Sequence, residues 1–151
     1  MSIKISAKTR YGLRILLDLA MHGNGTARAV KDIAQSQQIS EKFISLLAVR
    51  LHRGGLIKTV RGMRGGLTLV KQPANIRLLD VVELMEGPVN ILDCLTAAPQ
   101  CARANHCAAR QIWGGVNQKI IAALAGVTLQ QVIDASASDG TADAELPEYC
   151  I

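Results

Sequence analysis

Residues 40–70 read SEKFISLLAVRLHRGGLIKTVRGMRGGLTLV, and the changes of pattern inside this stretch decide the fold. Ser40 is a good N-cap, because its hydroxyl can accept from a backbone N–H that the first helical turn leaves without a partner. Phe43, Leu46, Leu47, Arg50 and Leu51 follow at helical spacing until Gly54-Gly55 closes the run. Leu56-Ile57-Lys58-Thr59-Val60 and Leu67-Thr68-Leu69-Val70 are β-like, and between them lies a glycine-rich tip, Arg61-Gly62-Met63-Arg64-Gly65-Gly66. The stretch predicts a helix followed by a β-hairpin.

Upstream, Ser6 to His22 carries Tyr11, Ile15, Leu16, Leu19 and Ala20 at helical spacing, and Gly23-Asn24-Gly25 offers a left-handed C-cap. Val30 to Ala34 is a short second helix, closed by the polar turn Gln35-Ser36-Gln37-Gln38. Three helices and then a hairpin make a winged helix, a relative of the helix-turn-helix. Downstream, Leu78 to Glu86 reads as a fourth helix stopped by Gly87-Pro88. A loop of roughly twenty residues follows, a length that is usually functional. From Cys107 to Val127 a longer helix bears Ile112, Val116, Ile120, Ile121 and Leu124. Gly114-Gly115 weakens its middle by roughly 1 kcal/mol per glycine, which implies a close helix crossing or a kink there. Thr128 caps a last short helix ending near Ala135.

The 151 residues suffice for one ordinary domain or two small ones. Hydrophobic residues make up 49% and charged residues 19%, so the chain folds. Aromatics are only 3% (Tyr11, Phe43, Trp113, Tyr149), leaving Leu, Ile, Val and Ala to build a mostly helical core. No apolar run approaches the roughly 18 residues of a membrane span. Lys4, Lys8, Arg10 and Arg14 precede no uninterrupted apolar run, so the N-terminus does not read as a signal peptide. A cytoplasmic protein with reduced cysteines and no membrane partner is expected.

Charge divides the chain. Residues 1–72 hold thirteen bases against three acids, a net +10, while residues 73–151 hold four bases against nine acids, a net −5, in agreement with the overall +5. A basic half joined to an acidic half suggests a polyanion-binding module attached to something else. The expected organisation is a winged-helix DNA-binding domain over 1–72, a cysteine loop with dimerisation helices over 73–135, and a flexible tail over 136–151. The long helix carries more apolar surface than so small a unit covers, which points to a partner helix from a second subunit and to palindromic double-stranded DNA. Lys42 and Ser45 are expected on the face of the third helix away from Phe43, Leu46 and Leu47, where base edges are read in the major groove. Arg50 and Arg53 near its end suit phosphates. Arg61 and Arg64 among glycines suit a narrow minor groove, although a glycine-rich tip also serves as a simple tight turn.

Cys94, Cys101 and Cys107 cluster with six and five residues between them. Zinc ligands normally pair at two-to-four-residue spacing, so zinc is the weaker reading, kept open by His106. Three thiolates on a loop can wrap an iron–sulfur cluster, which tolerates one non-cysteine ligand. Three unrelated cysteines are the plain alternative. No general base, nucleophile–base pair or phosphate-cradling loop accompanies them, and His22 and His52 belong to no catalytic pattern, so a small metal or redox enzyme is an outsider.

The helix from Lys4 to Ala20 with Arg10-Tyr11, Asp32-Ile33-Ala34, Ile39-Ser40-Glu41-Lys42-Phe43, the tip from Arg61 to Leu67, Asp80-Val81-Val82-Glu83 and the three-cysteine loop together resemble the IscR/NsrR/RirA-type iron–sulfur winged-helix transcriptional regulators. The resemblance runs in order from residue 3 to about residue 135 and is most specific in the tip and the cysteines. It implies a homodimeric, cytoplasmic, non-enzymatic transcription factor, and extends the DNA-contact set to Lys8, Tyr11, Ser40 and Phe43. It also implies an iron–sulfur cluster, 2Fe-2S or 4Fe-4S, held by Cys94, Cys101 and Cys107, through which cluster supply, iron, nitric oxide or redox stress sets operator affinity. Two departures leave the fourth ligand open. The IscR-like branch has a histidine where this chain has Arg110, and the NsrR-like branch has a carboxylate near the start of the partner's first helix where Lys8-Thr9-Arg10 offers none. His106, Cys150 or a small exogenous molecule could fill it. A cluster-free regulator of the same family, sensing cysteine or sulfur metabolism through thiols or a partner, is the alternative.

Overall fold

The computed structural model describes residues 5–23, 25–96 and 101–138. The chain runs α1 (Ala7–His22), α2 (Val30–Gln37), α3 (Glu41–Arg53), β1 (Ile57–Val60), β2 (Gly66–Leu69), α4 (Leu78–Glu86), α5 (Ala108–Gly126) and α6 (Leu129–Ser138). The expected mostly helical fold with a hairpin wing is present. α3 starts where Ser40 caps it, the hydroxyl accepting from the Phe43 N–H at 3.3 Å. α4 ends at Gly87, and Thr128 and Gln131 cap each other at the start of α6.

One core joins α1 through α4, the hairpin and the start of α6. Ile15, Leu16 and Leu19 of α1, Ile33 of α2, and Ile44, Leu47 and Leu51 of α3 are buried together with Ile57 and Leu67 of the hairpin. Ile76, Val81, Met85 and Leu129, from beyond Pro73, complete the cluster. The strand-like start of α6 seats on the start of α4, with Leu78 donating to the Val127 carbonyl and Leu129 to the Ile76 carbonyl, both at 2.8 Å.

The hairpin is antiparallel, with Ile57 opposite Leu69 and Val60 opposite Gly66. Arg28 adds a one-residue third strand, exchanging backbone bonds of 2.8 and 2.9 Å with Leu67, which ties the wing to the α1–α2 connection. Gly66 permits this approach. It sits at φ +154°, and a Cβ there would overlap the Arg28 carbonyl. Gly66→Ala is expected to cost about 1–3 kcal/mol through backbone strain, read by urea unfolding, and to speed exchange of the Arg28 and Leu67 amides. Unchanged stability and exchange would refute this seating.

Several expectations need adjustment. Gln35–Gln37 continue α2, and Gln38 ends it at φ +52°, because Ser36 and Gln37 are held by side chains of α1. Gly23 is right-handed, and the left-handed residue is Gly25. α5 is continuous through Gly114-Gly115, with Gly114 facing Leu95. Residues 136–138 belong to α6, while residues 139–151 lie outside the described residues. No helix among the described residues is long and apolar enough to cross a membrane.

Candidate nucleic-acid interface and cysteine segment

The buried stripe of α3 is Ile44, Leu47 and Leu51, with Ala48 beside it. At about 100° per residue, the opposite face carries Lys42, Ser45, Leu46, Val49 and Arg53, all exposed. Leu46 therefore corrects the expected apolar face: it is 57% exposed, because the helix turns its 44/47/51 row inward and not its 43/46/50 row. The Ser45 hydroxyl donates to the Glu41 carbonyl at 2.8 Å. Arg50 is also exposed, but its Nη1 donates to the Met85 carbonyl at 3.2 Å, so it caps the end of α4.

Arg61 and Arg64 are exposed at the hairpin tip on either side of a fully exposed Met63. Lys8 is exposed on the first turn of α1. Tyr11 and Phe43 are half-buried and pack edge to face with centroids 5.6 Å apart, and the Arg14 guanidinium lies over the Tyr11 ring at 5.4 Å. This pair joins α1 to the start of α3. Lys42, Arg53, Arg61 and Arg64 thus stand free at the surface and Ser45 is exposed with its hydroxyl proton on the Glu41 carbonyl, whereas Arg50, Tyr11 and Phe43 are engaged with neighbouring helices.

What positions this face is a buried carboxylate. Asp18 is 1% exposed on the inner side of α1 and accepts from Arg28 Nε, Ser36 Oγ and, at 3.1 Å, Gln37 Nε2. Burial alone pushes its carboxyl up, yet the bonds from Ser36, Arg28 and Gln37 together hold it below the ordinary value. One carboxylate thereby fixes the residue that carries the wing's third strand and the last turn of α2, from which α3 departs. Arg14 adds a second clamp, donating from Nε to Gln37 Oε1 at 3.2 Å and from Nη2 to the Gln37 carbonyl. Sequence reasoning passed over this hub. The signal was an aspartate inside the apolar row Ile15, Leu16, Leu19.

Glu86, at the end of α4, accepts from the Ser6 backbone N–H at 3.1 Å and from the Thr9 hydroxyl, so it caps α1 from outside and its carboxyl lies below the ordinary value.

Cys94 lies in the helical turn Asp93–Leu95 and is half-buried, Cys101 is exposed, and Cys107 is the half-buried N-cap of α5. None is in a disulfide. His106 is exposed in the turn Ala104–His106. Among the described residues no three Cys, His, Asp or Glu side chains converge on a common centre. The donor types suit an iron–sulfur group, but their placement in this conformation does not close a site. Cys150 lies outside the described residues.

Two α5 side chains organise the segment. Arg110 donates from Nε to the Cys94 carbonyl at 2.7 Å and from Nη1 to the Ala104 carbonyl at 3.1 Å. Asn117, buried, accepts from the Ile91 N–H at 3.1 Å and donates to the Val89 carbonyl at 3.0 Å. On the outer side of α5, Ile112 and Trp113 are 69% and 48% exposed, beside an exposed Val116.

The family model described as Rrf2, iron-dependent transcriptional regulator, matches residues 5–135. The chain is 38% identical to the protein rrf2 of Nitratidesulfovibrio vulgaris over 138 residues, covering 89% of this chain and 90% of that one. Its fold matches the structure of CymR, the global cysteine regulator of B. subtilis, with a TM-score of 0.73 at 29% identity, covering 89% of this chain and 98% of CymR. It also matches T. potens IscR, with a TM-score of 0.74 at 27% identity and 94% of each chain covered.

Proposed function

The chain belongs to the Rrf2 family of transcriptional regulators, and on that footing we propose that it acts as a homodimer binding a palindromic operator, with its affinity set by chemistry at Cys94, Cys101 and Cys107. Membership makes it a DNA-binding regulator and not an enzyme. The observation that carries the rest is that Lys42 and Arg53 on the outer face of α3 and Arg61 and Arg64 at the wing tip are all exposed, and that α3 and the hairpin share a cleft lined by Ser45, Arg53 and Thr59. α3 enters the major groove, the tip follows the minor groove, and Lys8 and Arg50 lie toward the backbone. Ser40, Tyr11 and Phe43 set the angle of α3. The exposed Ile112, Trp113 and Val116 meet the same face of a second copy, which places two α3 helices on one duplex. Operator binding makes the protein cytoplasmic.

The sensing group of this reading is an iron–sulfur cluster on Cys94, Cys101 and Cys107, with His106 as candidate fourth donor. When bound, such a cluster supplies sensitivity to cluster supply, iron, nitric oxide or redox stress. The three cysteines that would hold it sit on a segment already tied by Arg110 to α5, the helix assigned to the dimer in this reading. A second reading, thiol chemistry without a cluster, is favoured by the spread of the three cysteines and by Arg110, whose guanidinium is no metal ligand.

Anisotropy titration of a labelled operator over a salt series tests the DNA reading. Affinity should fall steeply with salt, and Arg61→Ala and Arg64→Ala should each weaken binding, most where the sequence under the wing is A·T-rich. Lys42→Ala should alter base preference by about 1–3 kcal/mol. Affinity flat across a fivefold salt range would overturn it.

A further inference from the structure

We propose that Leu46 and Val49 form an apolar reading surface on α3 that packs against the 5-methyl groups of thymines in the major groove, an inference that rests on the DNA-binding reading above. Both are branched aliphatics in mid-helix, 57% and 50% exposed, while Ile44, Leu47 and Leu51 on the other side have no exposure at all. Isolated exposed aliphatics are ordinary. These two are neighbours one turn apart, bracketed along the helix by Lys42 and Arg53, with His52 on the flank and Arg61 and Arg64 at the hairpin tip.

The lysine and the three arginines of that set select a polyanion as occupant. The one apolar group a duplex presents on the floor of its major groove is the thymine methyl. The spacing suits it. Three residues along a helix advance about 4.5 Å, between one and two of the roughly 3.4 Å base-pair steps, so Leu46 and Val49 reach neighbouring base pairs. Val49 also lines a cleft of about 420 Å³ between α3 and β1, shared with Ser45, His52, Arg53 and Thr59, which leaves open space beside it. The neighbouring hydrogen-bonding residue is partly committed, since the Ser45 hydroxyl proton goes to the Glu41 carbonyl and only its lone pairs remain for a base. Sequence choice in this chain therefore leans on apolar contact more than its polar residues suggest.

The test selects a preferred duplex from a random pool with the full-length protein, then replaces each thymine in turn by deoxyuridine, which keeps every hydrogen bond and lacks only the methyl. Affinity should drop about 3–10-fold at one or two positions per half-site and stay level elsewhere. Leu46→Ala and Val49→Ala should each erase the thymine-over-uracil preference at one position, with the melting temperature and salt slope unchanged. Equal binding of thymine and uracil duplexes throughout, with selective binding retained, overturns the proposal while the DNA reading stands. Failure to select any duplex removes both. A change in oligomeric state of either variant with no change in the thymine-to-uracil ratio makes the face a protein interface and also overturns it.

Discussion

Asp18→Ala is expected to remove about 3–5 kcal/mol of folding stability, the range for breaking a buried, hydrogen-bonded ion pair from one side. The substitution leaves Arg28 without its carboxylate, and the Ser36 and Gln37 side chains lose their acceptor. Against a typical 5–15 kcal/mol for a domain, the variant becomes marginal, with a melting temperature lower by roughly 10 °C or more. Asp18→Asn keeps the shape but loses the charge and turns an N–H₂ toward donors, so it should fall between wild type and alanine. The pH dependence separates the hub from general damage. Because the folded carboxyl lies below its ordinary value, its contribution is fully present above an unfolded pKa near 3.9 and is lost as pH falls through the folded value. Wild type should therefore lose stability below about pH 4 more steeply than Asp18→Ala. Parallel acid limbs would show that the carboxylate contributes no charge-dependent stability. Operator affinity should fall beyond what the unfolded fraction explains, because the same carboxylate positions α3 and the wing.

Elements closed by local chemistry were legible from sequence: Ser40 before α3, the tip between two β-branched runs, and Gly87-Pro88 after α4. Elements closed by distant partners were not. Gln35-Ser36-Gln37 resembles a polar turn when only neighbours are counted, yet the last turn of α2 survives because Asp18 and Arg14 of α1 take its side chains and its last carbonyl. Leu46 fits an apolar i, i+3, i+4 row as well as Leu47 does. Only the packing of Ile44 and Leu51 decides which row turns inward. Among the candidate residues, Arg61 and Arg64 stood out by composition, whereas Arg110 was visible only as a missing histidine. Its positive role, binding two carbonyls of the cysteine segment, depends on how that segment folds back over α5.

Under the proposed function the cysteine segment is where signal and dimer helix meet, and the largest expected regulatory effects lie there. Serine at Cys94, Cys101 or Cys107 should, under the cluster reading, each collapse the difference in operator affinity between signal-treated and untreated protein, about 5–150-fold for an ordinary allosteric coupling, to near unity. Under the cluster reading the same three variants lose the visible colour of anaerobically isolated protein, while Cys150→Ser keeps both colour and response. His106→Ala then reports the fourth donor, since loss of colour assigns it and retention hands the role to a partner residue or an exogenous molecule. Arg110→His discriminates further. It removes the bonds from the guanidinium to the Cys94 and Ala104 carbonyls and places an imidazole three residues after Cys107, so it should prolong the life of a bound cluster in air. Under the thiol reading no colour develops in any variant. Response then follows the exposed Cys101, and Arg110→His changes only how readily the segment moves. Colour in wild type that survives Cys101→Ser but not Cys150→Ser would refute the proposed ligand set.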